Sequence, residues 1–170
     1  MRLKSNIAVA GTHGKTTISS MVAHVMYSST KVCSAFVGGI MTNYDSNLLI
    51  GNQESVVVVE ADEFDRSFLQ LSPDFTVVTS LDPDHLDIYG NSEKMKESYL
   101  TFIDKTHQGG DILLHKDVSS KLGKDLSRKY RTYGLMGAHI TAKNIRVQAS
   151  KFKFDYSGAI DIKNLHKSGS

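Results

Sequence analysis

The chain has 170 residues, 40% of them hydrophobic and 22% charged, with a formal net charge of +2. That is the composition of an ordinary globular domain, able to bury roughly 70% of its unfolded surface without staples; the charge is too small and too evenly spread to suggest a nucleic-acid partner. A single cysteine, Cys33, excludes an internal disulfide framework, and with no apolar run near the ~18 residues of a membrane span and no signal-peptide pattern, the expectation is a soluble cytoplasmic protein.

Residues 3–10 predict a first strand, nearly all apolar after Asn6, as a central parallel strand covered on both faces would be. It runs into Gly11, Thr12, His13, Gly14, Lys15, Thr16 and Thr17. A helix to about residue 27 follows, with Ile18, Val22, Val25 and Met26 spaced as its inner face and Ser28-Ser29 as its end. Strand, glycine turn, Lys-Thr and helix make the layout of a phosphate-binding loop. The glycines let backbone N–H groups turn inward, and the helix N-terminus adds donors and partial positive charge. Lys15 would reach the β/γ-phosphates, and the Thr16 hydroxyl would help hold a magnesium ion. The full G-x-x-x-x-G-K-[ST] pattern needs glycine where this chain has Val9, so the match is a shortened form.

Residues 31–37 predict the second strand, ended by Gly38-Gly39, and residues 38–51 read as an irregular polar loop. Its segment 42–47 suits either substrate contact or plain solvation. Four consecutive valines at 56–59 predict another buried parallel strand. It delivers Glu60, Asp62, Glu63 and Asp65 to its carboxyl end, where ligands sit in doubly wound sheets. Glu60 there suits magnesium, which takes oxygen ligands and keeps several waters. Asp62, Glu63 and Asp65 read instead as structural, capping a short helix over 65–71.

Residues 75–80 predict a strand that delivers Asp84, His85 and Asp87 to the same edge. His85 could bind a second magnesium, contact the γ-phosphate or position a substrate carboxylate. A helix from residue 91 or 92 to about 106 buries Met95, Tyr99, Phe102 and Ile103 and stops at Gly109-Gly110. A strand at 111–115 and a helix at 117–129 follow, the helix with Val118, Leu122 and Leu126 inward and Lys121, Lys124 and Arg128 solvated. Residues 131–134 predict a short strand. Alternation then takes over at Ile145 and Val147, at Phe152, Phe154 and Tyr156, and at Ile160 and Ile162, which predicts a small antiparallel sheet. The expected fold is therefore α/β: a P-loop-type, mostly parallel sheet flanked by helices over 1–134, a small antiparallel β extension over 135–162, and a polar tail over 163–170.

Three motifs together resemble the central, ATP-binding domain of the Mur ligases: Gly-Thr-His-Gly-Lys-Thr-Thr at 11–17, Glu-Ala-Asp-Glu-Phe-Asp at 60–65 and Asp-His-Leu-Asp-Ile-Tyr at 84–89. His13 and the run at 60–69 resemble the branch that joins L-alanine to UDP-N-acetylmuramate; the branch that recycles a murein tripeptide shares the histidine loop. The resemblance implies ATP and magnesium as cofactors. It puts Gly11 to Thr17 on the nucleotide, Lys15, Glu60 and His85 in catalysis, and Thr16, Glu60 and His85 on metal. It also implies an amide-forming reaction through an acyl phosphate, in peptidoglycan precursor synthesis. In several sister ligases a carbamylated lysine follows the histidine, and the neighbourhood at 99–102 offers none. The family's flanking domains, for the UDP-sugar and for the amino acid, have no counterpart here, so the expectation is a central domain inactive by itself. A nucleotide-binding module without chemistry and a small P-loop kinase are the alternatives from other classes.

Overall fold

The structure, a computed structural model, describes residues 5–30, 33–64, 66–83, 89, 91–149, 151–158 and 162–168, with the backbone alone for Thr30 and 162–168. In chain order the elements are β1 (Asn6–Ala10), α1 (Lys15–Thr30), β2 (Cys33–Met41), β3 (Ser46–Leu49), β4 (Val56–Glu60), a 3-10 turn (Ser67–Gln70) and β5 (Phe75–Val78). There follow α2 (Ser92–Asp104), β6 (Asp111–His115), α3 (Lys116–Leu122), a second 3-10 turn (Gly123–Asp125), β7 (Arg131–Gly134), β8 (Ile140–Gln148), β9 (Lys151–Ser157) and β10 (Ile162–Ser168).

The strands form one sheet in the order β10-β9-β8-β7-β6-β5-β1-β4-β2-β3. Neighbours from β2 through β8 pair in parallel. The pairs β2–β3, β8–β9 and β9–β10 are antiparallel. The expected α/β sheet, mostly parallel with an antiparallel end, is what forms. β1 lies between β4 and β5, and all three point the same way. The described segments that follow these strands, 11–14, 61–64 and 79–83, therefore leave the sheet along one edge.

Alternation along the strands sends side chains to two cores. One face carries Ala8, Ala10, Val78, Ile112 and Leu114 against Phe68, Tyr99, Phe102, Ile103 and Leu122. Phe68 sits edge-on to Tyr99 at 5.4 Å and tilted against Phe102 at 5.0 Å, so its loss would cost about 3–5 kcal/mol. The other face carries Cys33, Ala35, Val37 and Val58 under α1. α2 starts where expected: Asn91 accepts from the Lys94 N–H at 2.9 Å, a cap worth about 1 kcal/mol.

Several local expectations give way. Helix α1 runs through Ser28-Ser29 to Thr30. Its fully buried residues are Ser19 and Ala23, and Val22 and Met26 pack half-buried on the same core as expected, while Val25 is 62% exposed. β2 does not stop at Gly38 but continues to Met41, and a turn at 42–45 returns into β3. Gly38 is there for close approach: a Cβ at 38 would meet the Glu60 carboxylate at 3.0 Å. Tyr44 in that turn packs on α1, edge-on to Tyr27 at 5.3 Å and hydrogen-bonded to His24 at 2.8 Å. The helix expected over 117–129 divides into α3 and a 3-10 turn at Gly123, whose φ of +57° ends regular winding. Residues 163–168, read from the sequence as tail, join Ile162 in β10 on the free edge of β9. Ile160 lies outside the described residues.

Candidate functional site

The loop between β1 and α1 is held by the end of β5. Gly11, with φ +136°, has no room for a side chain: a Cβ would fall on the Thr79 hydroxyl and 2.8 Å from the Ser80 nitrogen. Thr79 donates to the carbonyls of Ala10 and His13, and the Ser80 hydroxyl accepts from the His13 N–H at 2.7 Å. Thr12 Oγ1 lies 3.0 Å from Ser80 Oγ and accepts from the Asp82 N–H at 3.0 Å. Gly14 follows with φ +78° and open space beside it, and α1 begins at Lys15. The loop is thus fixed before any ligand arrives, with the orphan N–H groups of the helix start beside it.

Beside this loop is a cavity of about 500 Å³ lined by Thr12, His13, Gly14, Lys15, Thr16, Gly38, Glu60, Asp62 and Phe64. Two carboxylates are held at or beside it, one by a hydroxyl and a backbone N–H, the other by an ammonium. Thr16 Oγ1 donates to Glu60 Oε1 at 2.8 Å, and Glu60 Oε2 accepts from the Gly38 N–H. Lys15 Nζ lies 2.9 Å from each carboxylate oxygen of Glu63. Glu63 is 0% exposed and the Lys15 side chain 14%. Beyond Lys15, Glu63 Oε2 has no hydrogen-bond partner among the described residues.

Of the residues singled out from the sequence, Thr12, His13, Gly14, Lys15, Thr16 and Glu60 meet at this cavity. Gly11 is buried against Thr79 and Ser80 outside the lining, and Thr17 is exposed on α1, also outside it. Asp65 and residues 84–88, His85 among them, lie outside the described residues.

The expectation that Glu63 caps a helix is corrected: its carboxylate is the counter-charge of Lys15. The 3-10 turn begins after Arg66, at φ +60°, with no side-chain cap. Asp62 keeps a structural role, its side chain accepting from the Phe64 N–H at 3.1 Å. Tyr89, at the end of the third motif, is buried and donates to the Glu63 carbonyl at 2.6 Å, with Arg66 over its ring at 5.1 Å. It thereby ties the third motif to the second.

Lys121, read as solvated, donates to Asp82 Oδ1 at 2.6 Å and to the Leu81 carbonyl at 2.9 Å. That hydrogen bond holds the Asp82 carboxyl below the usual carboxylate range. His13 Nε2 stands 3.9 Å from the other Asp82 oxygen. Thr79, Ser80, Asp82 and Lys121 were not legible as loop supports, because no sequence spacing links them to Gly11.

Magnesium fits part of this lining. The Thr16 hydroxyl and the Glu60 carboxylate are adjacent hard oxygen donors facing a roomy cavity, and such an ion keeps several waters. Among the described residues, no three His, Cys, Asp or Glu side chains cluster so as to hold a metal.

A family model described as the Mur ligase middle domain matches residues 9–167. A UDP-N-acetylmuramate–L-alanine ligase from Phocaeicola vulgatus is 43% identical over 150 residues, covering 88% of this chain and 33% of that protein. One from Cytophaga hutchinsonii is 51% identical over 119 residues, covering 68% of this chain and 26% of that protein. The crystal structure of a UDP-N-acetylmuramate–alanine ligase from Thermotoga maritima superposes with a TM-score of 0.79 at 26% identity, over 98% of this chain and 37% of that one. The chain thus spans about a third of the length of the curated relatives it matches.

Proposed function

The chain belongs to the Mur ligase family as a middle domain, and from that premise we propose that it is the ATP-binding domain of a cytoplasmic ligase that adds L-alanine to UDP-N-acetylmuramate. The observation that carries the reading is one cavity where the Lys15 ammonium and the Thr16–Glu60 oxygen pair stand together at the parallel-strand ends. The names of relatives at 43% and 51% identity support the L-alanine branch over the tripeptide-recycling one.

In the proposed reaction a sugar-linked carboxylate oxygen bonds to the γ-phosphorus of ATP. The bond from that phosphorus to the β–γ bridging oxygen breaks and ADP leaves. The alanine amine then attacks the carbonyl carbon of the acyl phosphate and loses a proton, and phosphate leaves as the amide forms. The difficulty is repulsion, since two like charges 4 Å apart cost about 4 kcal/mol at an effective dielectric near 20. Lys15 offsets charge on the β/γ oxygens, and the loop amides hold the polyphosphate in line. Thr16 and Glu60 would hold magnesium by their oxygens, and His85, assigned from its motif, would serve a second ion. Bound there, magnesium neutralises phosphate oxygens. Gly38 and Thr16 fix the Glu60 carboxylate through one hydrogen bond to each oxygen, so its aim does not wait on the ligand.

The test is calorimetric titration of this chain with ATP and with a non-hydrolysable analogue, each with magnesium. Magnesium-dependent binding without turnover is the expected result, with binding lost in the double variant Lys15→Met/Glu63→Gln. A double variant that binds ATP as well as the parent would refute the reading.

A further inference from the structure

We infer that Glu63 is a resident anion of the nucleotide site, a positioning residue that keeps Lys15 at the cavity wall and lowers the site's affinity for polyphosphate. The inference rests on the phosphate-loop reading and adds to it a residue outside the loop.

The geometry leaves Lys15 no other place to go. Both Glu63 oxygens lie 2.9 Å from Nζ, and the carboxylate is fully buried. Were Lys15 to move wholly onto a phosphate, Glu63 would remain as a buried charge without a counter-charge among the described residues, one of the costlier states a protein interior can hold. An ammonium has three N–H groups. Lys15 therefore stays on Glu63 and serves the ligand with a remaining donor. The Tyr89 hydroxyl donates to the Glu63 carbonyl and so fixes the backbone that carries the carboxylate.

This sharing has an electrostatic consequence. Any phosphate oxygen bonded to Lys15 lies within two hydrogen-bond lengths, about 6 Å, of a Glu63 oxygen. At an effective dielectric near 20, repulsion across that distance corresponds to about a hundredfold in affinity per unit charge. A lysine freed of its anchor would have to be ordered on binding, which returns roughly tenfold. The charge effect is larger, so removing the Glu63 charge tightens polyphosphate binding by about tenfold. A site with this internal competitor grips its phosphates less, which favours release of the cleaved nucleotide.

The probe is inorganic tripolyphosphate with magnesium, titrated calorimetrically into the chain and into Glu63→Gln, Glu63→Asp and Lys15→Met/Glu63→Gln, each checked for folding by circular dichroism. The expected pattern is binding about tenfold tighter in Glu63→Gln and near the parent's in Glu63→Asp, which keeps the charge. The double variant loses binding. Unchanged or weaker binding in Glu63→Gln, with binding lost in the double variant, overturns the inference and leaves the phosphate loop standing. Equal tightening in Glu63→Asp overturns it as well, since shape rather than charge would then govern. Undiminished binding in the double variant, or none in any of the four proteins, overturns the loop reading itself.

Discussion

Replacing Lys15 by methionine should unfold this domain more readily than the loss of a surface lysine ever would. Lys15 is the counter-charge of a carboxylate with no exposure, held through both oxygens at 2.9 Å. Methionine matches the lysine stem and removes only the charge and its donors. A buried pair broken by loss of one partner costs about 3–5 kcal/mol, where an exposed pair costs at most about 1. In a domain of this size each kcal/mol moves the melting midpoint by about 2–4 °C, so Lys15→Met should melt on the order of 10 °C below the parent. The double variant Lys15→Met/Glu63→Gln leaves no buried charge and should recover most of that loss. Urea titration followed by circular dichroism, with calorimetric melting, both without nucleotide, measures the two effects. A single variant within about 1 kcal/mol of the parent, or a double variant as unstable as the single, would refute the buried ion pair as the reason.

Three further outcomes follow from the geometry. Gly11→Ala should cost about 2–5 kcal/mol and abolish ATP binding, because its Cβ collides with Thr79 and Ser80 at φ +136°; Gly14→Ala, with open space at φ +78°, should cost about 1–2 kcal/mol, and equal losses by urea titration would contradict this. Burial pushes the Tyr133 phenol up to about 12, so its contribution to stability is complete below the ordinary value of 10.0 and is lost as pH rises from there through about 12. Ultraviolet titration of phenolate should show a late component that Tyr133→Phe removes. Lys121 holds the Asp82 carboxyl low, so the stability it lends is present above the ordinary carboxylate range and falls away as pH drops through the lowered folded value; Lys121→Met should raise the Asp82 pKa, read by carboxyl carbon NMR, and an unmoved resonance would count against the pairing.

Much of the fold and half of the site were open to inspection in the sequence, for local reasons. Buried parallel strands announce themselves as runs such as Val56 to Val59, and a helix with one inner face as Met95, Tyr99, Phe102 and Ile103. The phosphate loop is contiguous, so spacing alone brought Gly11 to Thr16 together, and Glu60 followed from its place at a strand end. Where the reading failed, contacts distant in sequence decided. Gly38 looks like the end of a strand until Glu60 of the neighbouring strand is seen to fill the space a Cβ would need. Lys121 looks like solvated charge until α3 brings it to Asp82, 39 residues away.

Glu63 marks the boundary most clearly. Its sequence context, three other carboxylates within six residues, permits a cap, a metal ligand or a solvated charge alike. Only the placement of β4 beside β1, which buries Glu63 against Lys15, 48 residues earlier in the chain, selects among them. The sequence determined which chemistry the loop could carry, because that chemistry needs adjacent residues. The tertiary structure decided which charge each group would face, because desolvation and Coulomb attraction depend on distance through space and not along the chain.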